Sequence, residues 1–231
     1  MSIRILIKIL TIPGILIGFA FHEYAHALVA DRLGDKTPKF DGRLTLNPFV
    51  HIDPIGFLAI LLVGFGWAKP VRTNPSAFKR YYKDDLKVSI AGPIANLLVV
   101  FIFAIVLGIY NKLFNLSGAS GNDYITILIN AVNGDPYYVV SAILYLIVSI
   151  NSTLFILNLI PIPGFDGFHV VRDLFPKFFY NYAEKMYKYE MMIFILLVLP
   201  ILPSGGSILG LIIGPLSGYI TSFFMYIAAL I

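Results

Sequence analysis

Two histidines and a glutamate stand together in an otherwise apolar stretch near the start of the sequence. They form the pattern H-E-x-x-H, as His22, Glu23 and His26. On an α-helix, residues four positions apart lie on one face, so the two imidazoles can bind one metal ion side by side. The glutamate between them can act as a base on a water molecule that the metal activates. The pattern therefore predicts a zinc site with hydrolytic chemistry.

The apolar surroundings help to distinguish a metal site from a polar patch that only joins two helices. A charged side chain at the centre of a membrane helix costs about 2.5–3.5 kcal/mol on insertion scales. Groups that are kept at this cost usually face the interior of a helix bundle and mark a functional site. The metal site is therefore the favoured interpretation, and the simple polar patch is the alternative.

A catalytic zinc ion usually has three protein ligands and one open position. The chain contains no cysteine, so the third ligand comes from elsewhere and is not a thiolate. Asp166 is the candidate, because it follows an apolar stretch that ends at two prolines, Pro161 and Pro163. Prolines stop a helix and open its backbone. A purely loop-forming role for the stretch Pro-Gly-Phe-Asp-Gly is the alternative.

The composition places these groups in a membrane protein. Of the 231 residues, 58% are hydrophobic and only 13% are charged, against about 25% in soluble domains. The mean hydropathy is +0.82. We expect residues 1–231 to form a single transmembrane domain, with the chemical motifs within 18–170 and C-terminal helices in 171–231. The first apolar stretch is expected to be a retained helix and not a cleaved signal peptide.

The apolar stretches predict an all-α polytopic membrane protein with about five full transmembrane helices, since one span needs about 20 mainly apolar residues. The predicted spans are 3–30, 88–112, 137–160 and two within 190–231. The segment 54–67 is apolar but short, which predicts a re-entrant element. Alternating residues and Asp41-Gly42 predict a small β-hairpin at the membrane surface within 37–53.

Lysine and arginine accumulate on the cytoplasmic side of membrane proteins. Segment 31–53 contains four of the 17 basic residues, 68–87 contains six and 161–190 contains four. Placing these segments in the cytoplasm requires 54–67 to enter and leave on that side. The alternative is that 54–67 is a full span and that 31–53 lies outside.

Two long motifs together resemble the site-2 protease family of intramembrane zinc metalloproteases. H-E-x-x-H lies in the first helix, and N-x-x-P-x-P-x-x-D-G follows at 158–167. Other stretches resemble the compact prokaryotic branch that lacks PDZ and CBS domains: "RLTLNPFVHIDPIG" (43–56), "FGWAKPVRTNP" (65–75) and "AGPIANLL" (91–98). The sequence departs from the usual pattern at Phe165 and Phe168, and neither difference removes a ligand.

The resemblance implies one Zn²⁺ ion per chain, held by His22, His26 and Asp166, with Glu23 as general acid and base. It also implies that Asn158 helps to hold the substrate or its developing oxyanion. Asn96, within the second predicted span, has a role left open between helix packing and support of the site. The implied activity is hydrolysis of peptide bonds in or near transmembrane segments of membrane-protein substrates, at the cell membrane and nearer its cytoplasmic side.

Two other functions remain possible from the sequence: a metal transporter or channel with the same residues as a transit site, and an inactive binding protein. The hairpin at 37–50 either offers a strand edge to an unwound substrate or only plugs the membrane surface. His51 and His169 are expected to be structural, although His51 is also a candidate to support the site.

The remaining expectations concern lipids and partners. The basic run at 69–87 is expected to contact anionic lipid headgroups, and no nucleic-acid partner is expected. A group of tyrosines between positions 180 and 189 predicts an aromatic belt at the membrane–water interface: Tyr180, Tyr182, Tyr187 and Tyr189. The sequence leaves the substrate and the oligomeric state open.

Overall fold

The computed structural model describes residues 3–64, 66–116, 124–199, 201–202 and 206–231. The α-helices within these residues are α1 (Ile3–Leu33), α2 (Thr37–Phe40), α3 (Pro48–His51), α4 (Pro54–Val63), α5 (Tyr81–Leu113), α6 (Tyr124–Val132), α7 (Pro136–Asn158), α8 (Asp166–Leu174), α9 (Pro176–Lys188), α10 (Glu190–Val198) and α11 (Ile208–Ala229). One short 3-10 helix lies at Pro75–Ala77. The predicted all-α fold class is confirmed.

Four of the described helices are long and apolar enough to cross a membrane: α1, α5, α7 and α11. The fifth predicted span is not confirmed. The helix in its place, α10, has nine residues and is about 14 Å long, whereas the hydrocarbon core is about 30 Å thick. The four long helices support a multi-pass membrane protein.

The centre of the bundle consists of α1, α5 and α7, which pack against one another. Leu107 of α5, Val148 of α7 and Met225 of α11 belong to one buried cluster, so α11 closes one side of the bundle. Leu10 of α1 and Ile127 of α6 belong to a second cluster with residues of α7. α8 packs on α5. These contacts bring the motif helix α1 and the later motif at α8 to the same helix, α5.

The β-hairpin predicted within 37–53 is wrong, because this segment forms α2 and α3. Pro38 and Pro48 lie in the first turns of these helices, where the missing N–H is not needed. The side chain of Asn47 caps α3 by accepting a hydrogen bond from the N–H of Phe49 at 3.1 Å. The prolines and the cap therefore favour short helical turns over paired strands.

The Asp41-Gly42 pair ends α2 and does not close a hairpin. Gly42 has a φ of +67°. Its N–H donates to the carbonyl of Lys39, and the N–H of Arg43 donates to the carbonyl of Pro38. This is the Schellman arrangement of a helix C-terminus. A left-handed glycine is favoured by both this helix end and a hairpin turn, and for this reason the sequence pattern alone is ambiguous.

The apolar segment 54–67 forms α4, whose last turn accepts a hydrogen bond from Lys8 of α1 at the carbonyl of Leu62, and the chain then returns to the start of the segment. α4 ends at Gly64, which adopts a left-handed conformation. The chain then comes back to an isolated antiparallel bridge between Ile52 and Ala68. The two ends of the segment lie side by side, as a re-entrant element requires. Its position in a membrane stays a prediction.

Candidate metal centre

The two histidines of the H-E-x-x-H motif lie one turn apart on α1. The Nε2 atoms of His22 and His26 are 3.0 Å apart, and the rings meet edge to face. Both side chains are buried. The helical spacing therefore directs two potential ligand atoms to one point inside the bundle.

Asp166 reaches the same point from α8. α7 ends at Asn158, a loop with two prolines follows, and Asp166 is the first residue of α8. Its Oδ2 lies 3.1 Å from Nε2 of His22, and its Oδ1 lies 3.3 Å from Nε2 of His26. The proline-containing loop thus turns the chain so that the carboxylate faces both imidazoles.

These separations fit a tetrahedral zinc ion. Ligands bound at about 2.0–2.1 Å in a tetrahedron are separated from one another by about 3.3 Å. The nitrogen–nitrogen and nitrogen–oxygen distances in the site are 3.0, 3.1 and 3.3 Å. Among the residues that the structure describes, His22, His26 and Asp166 form the one group of such side chains with ligand atoms within 4.8 Å of one another.

The carboxyl group of Asp166 has the properties of a metal ligand. Burial alone would raise its pKa, but the two neighbouring imidazoles outweigh burial and hold the pKa below the ordinary range. The charged carboxylate, which is the form that binds metals, is therefore favoured. Its Oδ2 is buried and has no hydrogen-bond donor among the described residues. A cation at this point would satisfy that oxygen.

Each imidazole is oriented through its second nitrogen by α5. Nδ1 of His26 lies 2.7 Å from the carbonyl oxygen of Val88, and Nδ1 of His22 lies 2.7 Å from Oδ1 of Asn96. A backbone carbonyl only accepts hydrogen bonds, so Nδ1 of His26 carries a proton, and Nε2 is the nitrogen that is left to bind a metal ion. Metal-binding histidines in proteins usually have such a partner on the other nitrogen.

α5 approaches the histidines at a glycine. A Cβ atom at Gly92 would lie 2.6 Å from both Cε1 and Nε2 of His22, and closer still to Nε2 of His26. Asn96 lies about one turn further along the same helix and is completely buried. The segment Gly-Pro-x-x-Asn therefore lets α5 approach α1 closely at Gly92 and places Asn96 in contact with His22.

Glu23 borders the three ligands but faces another part of the chain. It follows His22 on α1, about 100° around the helix axis. Its Oε2 accepts a hydrogen bond from the N–H of Val71 at 2.8 Å, and its side chain is buried. Val71 belongs to the stretch that returns from α4. This stretch therefore borders the centre on the side of Glu23 and orients its carboxylate.

Two of the other predicted residues, Asn158 and His51, contact backbone carbonyls outside the ligand set. Asn158 is half-buried, and Nδ2 donates to the carbonyl of Leu154 in its own helix at 3.0 Å. His51 is completely buried, and its Nε2 lies 2.8 Å from the carbonyl oxygen of Thr45. This contact connects the two ends of the segment 45–51. His169 is exposed on α8.

Two sets of contacts behind the centre were not predicted. Asn151 of α7 accepts a hydrogen bond from Asn96 at 3.0 Å, and Arg172 of α8 pairs with Asp85 of α5 and with Asp173. A signal for Asn151 exists, because a polar residue in an apolar helix usually faces the bundle interior. The pairing of Arg172 with Asp85 has no such signal, since 87 positions separate them.

Residues 10–199 match the sequence model of peptidase family M50. The match covers most of the chain and includes the H-E-x-x-H motif and Asp166. The chain therefore belongs to peptidase family M50, and the resemblance to site-2 proteases is confirmed.

Two kinds of curated relative are similar to the chain. It is 37% identical to "Putative zinc metalloprotease YwhC" of Bacillus subtilis over 196 residues, which are 84% of this chain and 81% of that protein. It is 30% identical to "Putative zinc metalloprotease Rip2" of Mycolicibacterium smegmatis over 167 residues, which are 69% of this chain and 55% of that protein. No solved structure matches the chain.

Proposed function

We propose that this protein is an intramembrane zinc metalloprotease that hydrolyses peptide bonds in or near the transmembrane segments of other membrane proteins. The observation that carries the proposal is the convergence of His22, His26 and Asp166 beside Glu23, within helices of membrane-spanning length. Membership of a peptidase family and the names of the relatives support the same chemistry. One Zn²⁺ ion per chain is expected.

Each group has a defined role in this proposal. The two histidines and Asp166 would hold a zinc ion, which would lower the pKa of a water molecule to about 7 and polarise a carbonyl oxygen. Glu23 is the general base that takes a proton from the attacking water, and the general acid that returns it to the leaving amine. The hydrogen bond from the N–H of Val71 fixes the orientation of the Glu23 carboxylate, next to the ligand His22 in the sequence of α1.

Asn158 is proposed to hold the substrate backbone or its developing oxyanion. The support is its place at the end of α7, eight residues before Asp166, which matches the family motif. Asn158→Ala should slow cleavage and leave the zinc content unchanged. Loss of zinc in this variant would contradict a role in substrate binding alone.

The centre is proposed to open towards the cytoplasm. The support is the excess of basic residues in 31–53, 68–87 and 161–190. His26 lies seven residues before the end of α1, or about 10 Å. Cysteine introduced at Ser76 should be labelled from the cytoplasmic side and cysteine at Asn133 from the opposite side. Labelling of both from one side would rule out this orientation.

The two alternative functions are not supported. A transporter or channel would need the ligands but not a glutamate next to the first histidine, and the family is one of peptidases. An inactive binding protein usually lacks a ligand or the general base, whereas this chain has all four groups.

Replacement of Glu23 by glutamine tests the proposal, because the side chain keeps its size and no ligand is lost. We expect the purified Glu23→Gln protein to bind zinc normally and to cleave a membrane-protein substrate at least about a hundredfold more slowly. Glu184→Gln, the same change at an exposed position of α9, is the control and should cleave normally. Near-normal cleavage by Glu23→Gln would contradict the mechanism, and loss of zinc would show that Glu23 is structural.

A further inference from the structure

Asn151 is a polar side chain in the interior of α7, between α1 and α5, and it is completely buried. Its Nδ2 donates to the carbonyl of Ile147 at 2.9 Å and to that of Gly14, on α1, at 3.4 Å. Its Oδ1 accepts a hydrogen bond from Nδ2 of Asn96, on α5, at 3.0 Å. A side-chain amide at this depth is costly unless its groups are paired, and here both ends have partners.

The partners of Asn151 leave its amide only one orientation. The oxygens of Ile147 and Gly14 are backbone carbonyls, which accept hydrogen bonds and cannot donate them. The NH₂ group of Asn151 must therefore face these carbonyls. Its oxygen then faces Asn96. The backbone of α1 and α7 thus decides which end of the Asn151 amide is presented to α5.

The same reasoning orients Asn96. Its Nδ2 has two acceptors, Oδ1 of Asn151 at 3.0 Å and the carbonyl of Gly18 at 3.2 Å. The NH₂ group must face these two oxygens, and Oδ1 of Asn96 must face Nδ1 of His22 at 2.7 Å. An amide oxygen only accepts, so Nδ1 of His22 carries the proton. Nε2 of His22 is then the nitrogen that is left to bind a metal ion, and it faces His26 and Asp166.

We infer that Asn151 is a positioning residue of the metal centre, which acts through Asn96 to fix the tautomer of His22. The inference rests on the proposed zinc site. Without the oxygen of Asn151, the Asn96 amide loses one of its two acceptors and can turn over. A reversed amide would present NH₂ to His22, so the proton would move to Nε2, the nitrogen that zinc needs unprotonated.

The test compares substitutions of two buried hydrogen-bonding residues of α7. Asn151→Leu removes the acceptor at similar size. Asn151→Ser is a milder second variant, since its hydroxyl is expected to donate to the carbonyl four residues earlier, as Ser152 does. The control is Ser141→Ala, which removes a 2.8 Å hydrogen bond between α7 and Asn111 of α5, ten residues or about 15 Å away.

Zinc affinity should be measured by chelator competition on the folded proteins, together with the visible spectrum of the Co²⁺-substituted forms. Loss of a partner in the outer shell of a metal site costs about 10–100-fold in affinity. We expect a loss near tenfold and an altered Co²⁺ spectrum for both Asn151 variants. Ser141→Ala should reduce thermal stability without changing the zinc affinity or the spectrum.

Unchanged zinc affinity and Co²⁺ spectrum in a folded Asn151 variant would overturn the inference and leave the proposed function intact. An equal loss of affinity in Ser141→Ala would also overturn it, because the effect would then come from helix packing in general. A wild-type protein that binds no zinc would overturn the proposed function, and the inference with it.

Discussion

The two halves of the metal centre are held in position by different interactions. His22 and His26 are oriented by uncharged partners on α5, an amide oxygen and a backbone carbonyl, within membrane-length helices. Asp166 opens the nine-residue helix α8, and α8 is tied to α5 by the ion pair between Arg172 and Asp85. One site therefore combines a hydrogen-bonded half and an ion-paired half.

The difference follows from the surroundings of each half. Removing an ion from water costs several kcal/mol, so a charge pair is a poor connection in the middle of a helix bundle. An amide–imidazole hydrogen bond adds no net charge there. Arg172 keeps 20% of its side chain exposed, so its charge is partly hydrated. The two halves should therefore fail in different ways when they are perturbed.

Removal of a ligand from either half should have the largest effect. The double variant His22→Ala, His26→Ala leaves the carboxylate alone and should bind no zinc. Asp166→Ala should weaken zinc binding by more than about a hundredfold, which exceeds the usual cost of losing an outer partner. Metal analysis of the purified proteins measures both effects, with exposed His169→Ala as control. Wild-type affinity in Asp166→Ala would show that α8 does not belong to the centre.

Gly92→Ala should perturb the histidine half by steric overlap. The added Cβ would lie 2.6 Å from two atoms of His22, so one imidazole or α5 itself must shift. We expect zinc affinity to fall by about 10–100-fold, as for other losses of ligand orientation. Gly108→Ala is the matched control on α5, because its Cβ would overlap the carbonyl oxygen of Ala228 in α11 and lie 3.0 Å from the carbonyl carbon. It should lower thermal stability and leave zinc affinity unchanged.

If Gly108→Ala lowers the zinc affinity as much as Gly92→Ala does, general repacking of α5 explains the result. The histidine half would then not depend on the local approach of α5 at Gly92. Isothermal chelator competition and a thermal melt of each variant distinguish these two explanations.

The smallest loss of zinc affinity is expected when the ion pair that holds α8, in the aspartate half, is broken. Arg172→Leu leaves Asp85 and Asp173 without their cation, so α8 should loosen and zinc affinity should fall by about tenfold. Adding Asp85→Asn should restore part of the affinity, because one unpaired buried carboxylate is removed. Lys87→Gln breaks the other ion pair of α5, with Asp84 at 2.7 Å, and should have no effect on zinc.

Chelator competition measures the zinc affinity of these variants. If the variant that combines Arg172→Leu with Asp85→Asn binds zinc no better than Arg172→Leu alone, the charge of Asp85 is not what displaces α8. The ion pair would then act only as a connection between two helices.

The spans around α5 and α7 were predictable because long apolar stretches require helices in a membrane. The first residue of α5 was less predictable, whereas α7 begins within one residue of its predicted start. α5 begins at Tyr81, seven residues before the apolar stretch at 88, since Asp84 in its first turn accepts a hydrogen bond from the N–H of Arg80 and pairs with Lys87. A hydropathy pattern detects the membrane core and is insensitive to such polar helix starts. A hydropathy pattern also does not show where an apolar helix ends, so the nine-residue α10 was predicted as part of a full span.

The sequence by itself determined the groups of the centre that local geometry controls. The spacing of His22 and His26 puts both rings on one helix face wherever that helix lies. The two closely spaced prolines before Asp166 favour the end of a helix, although a single proline such as Pro93 is accommodated inside α5. Helical periodicity and backbone restriction act over a few residues, so they can be read from the chain.

Only the tertiary structure decided which residues orient these groups through contacts with other helices. Asn96 meets Asn151 across 55 positions, and Asp85 meets Arg172 across 87. Such pairs depend on which helix faces pack together and how closely, and Gly92 shows that one missing Cβ sets that distance. Packing is a property of the whole bundle. The chemistry of the centre is therefore local in the sequence, while its orientation is not.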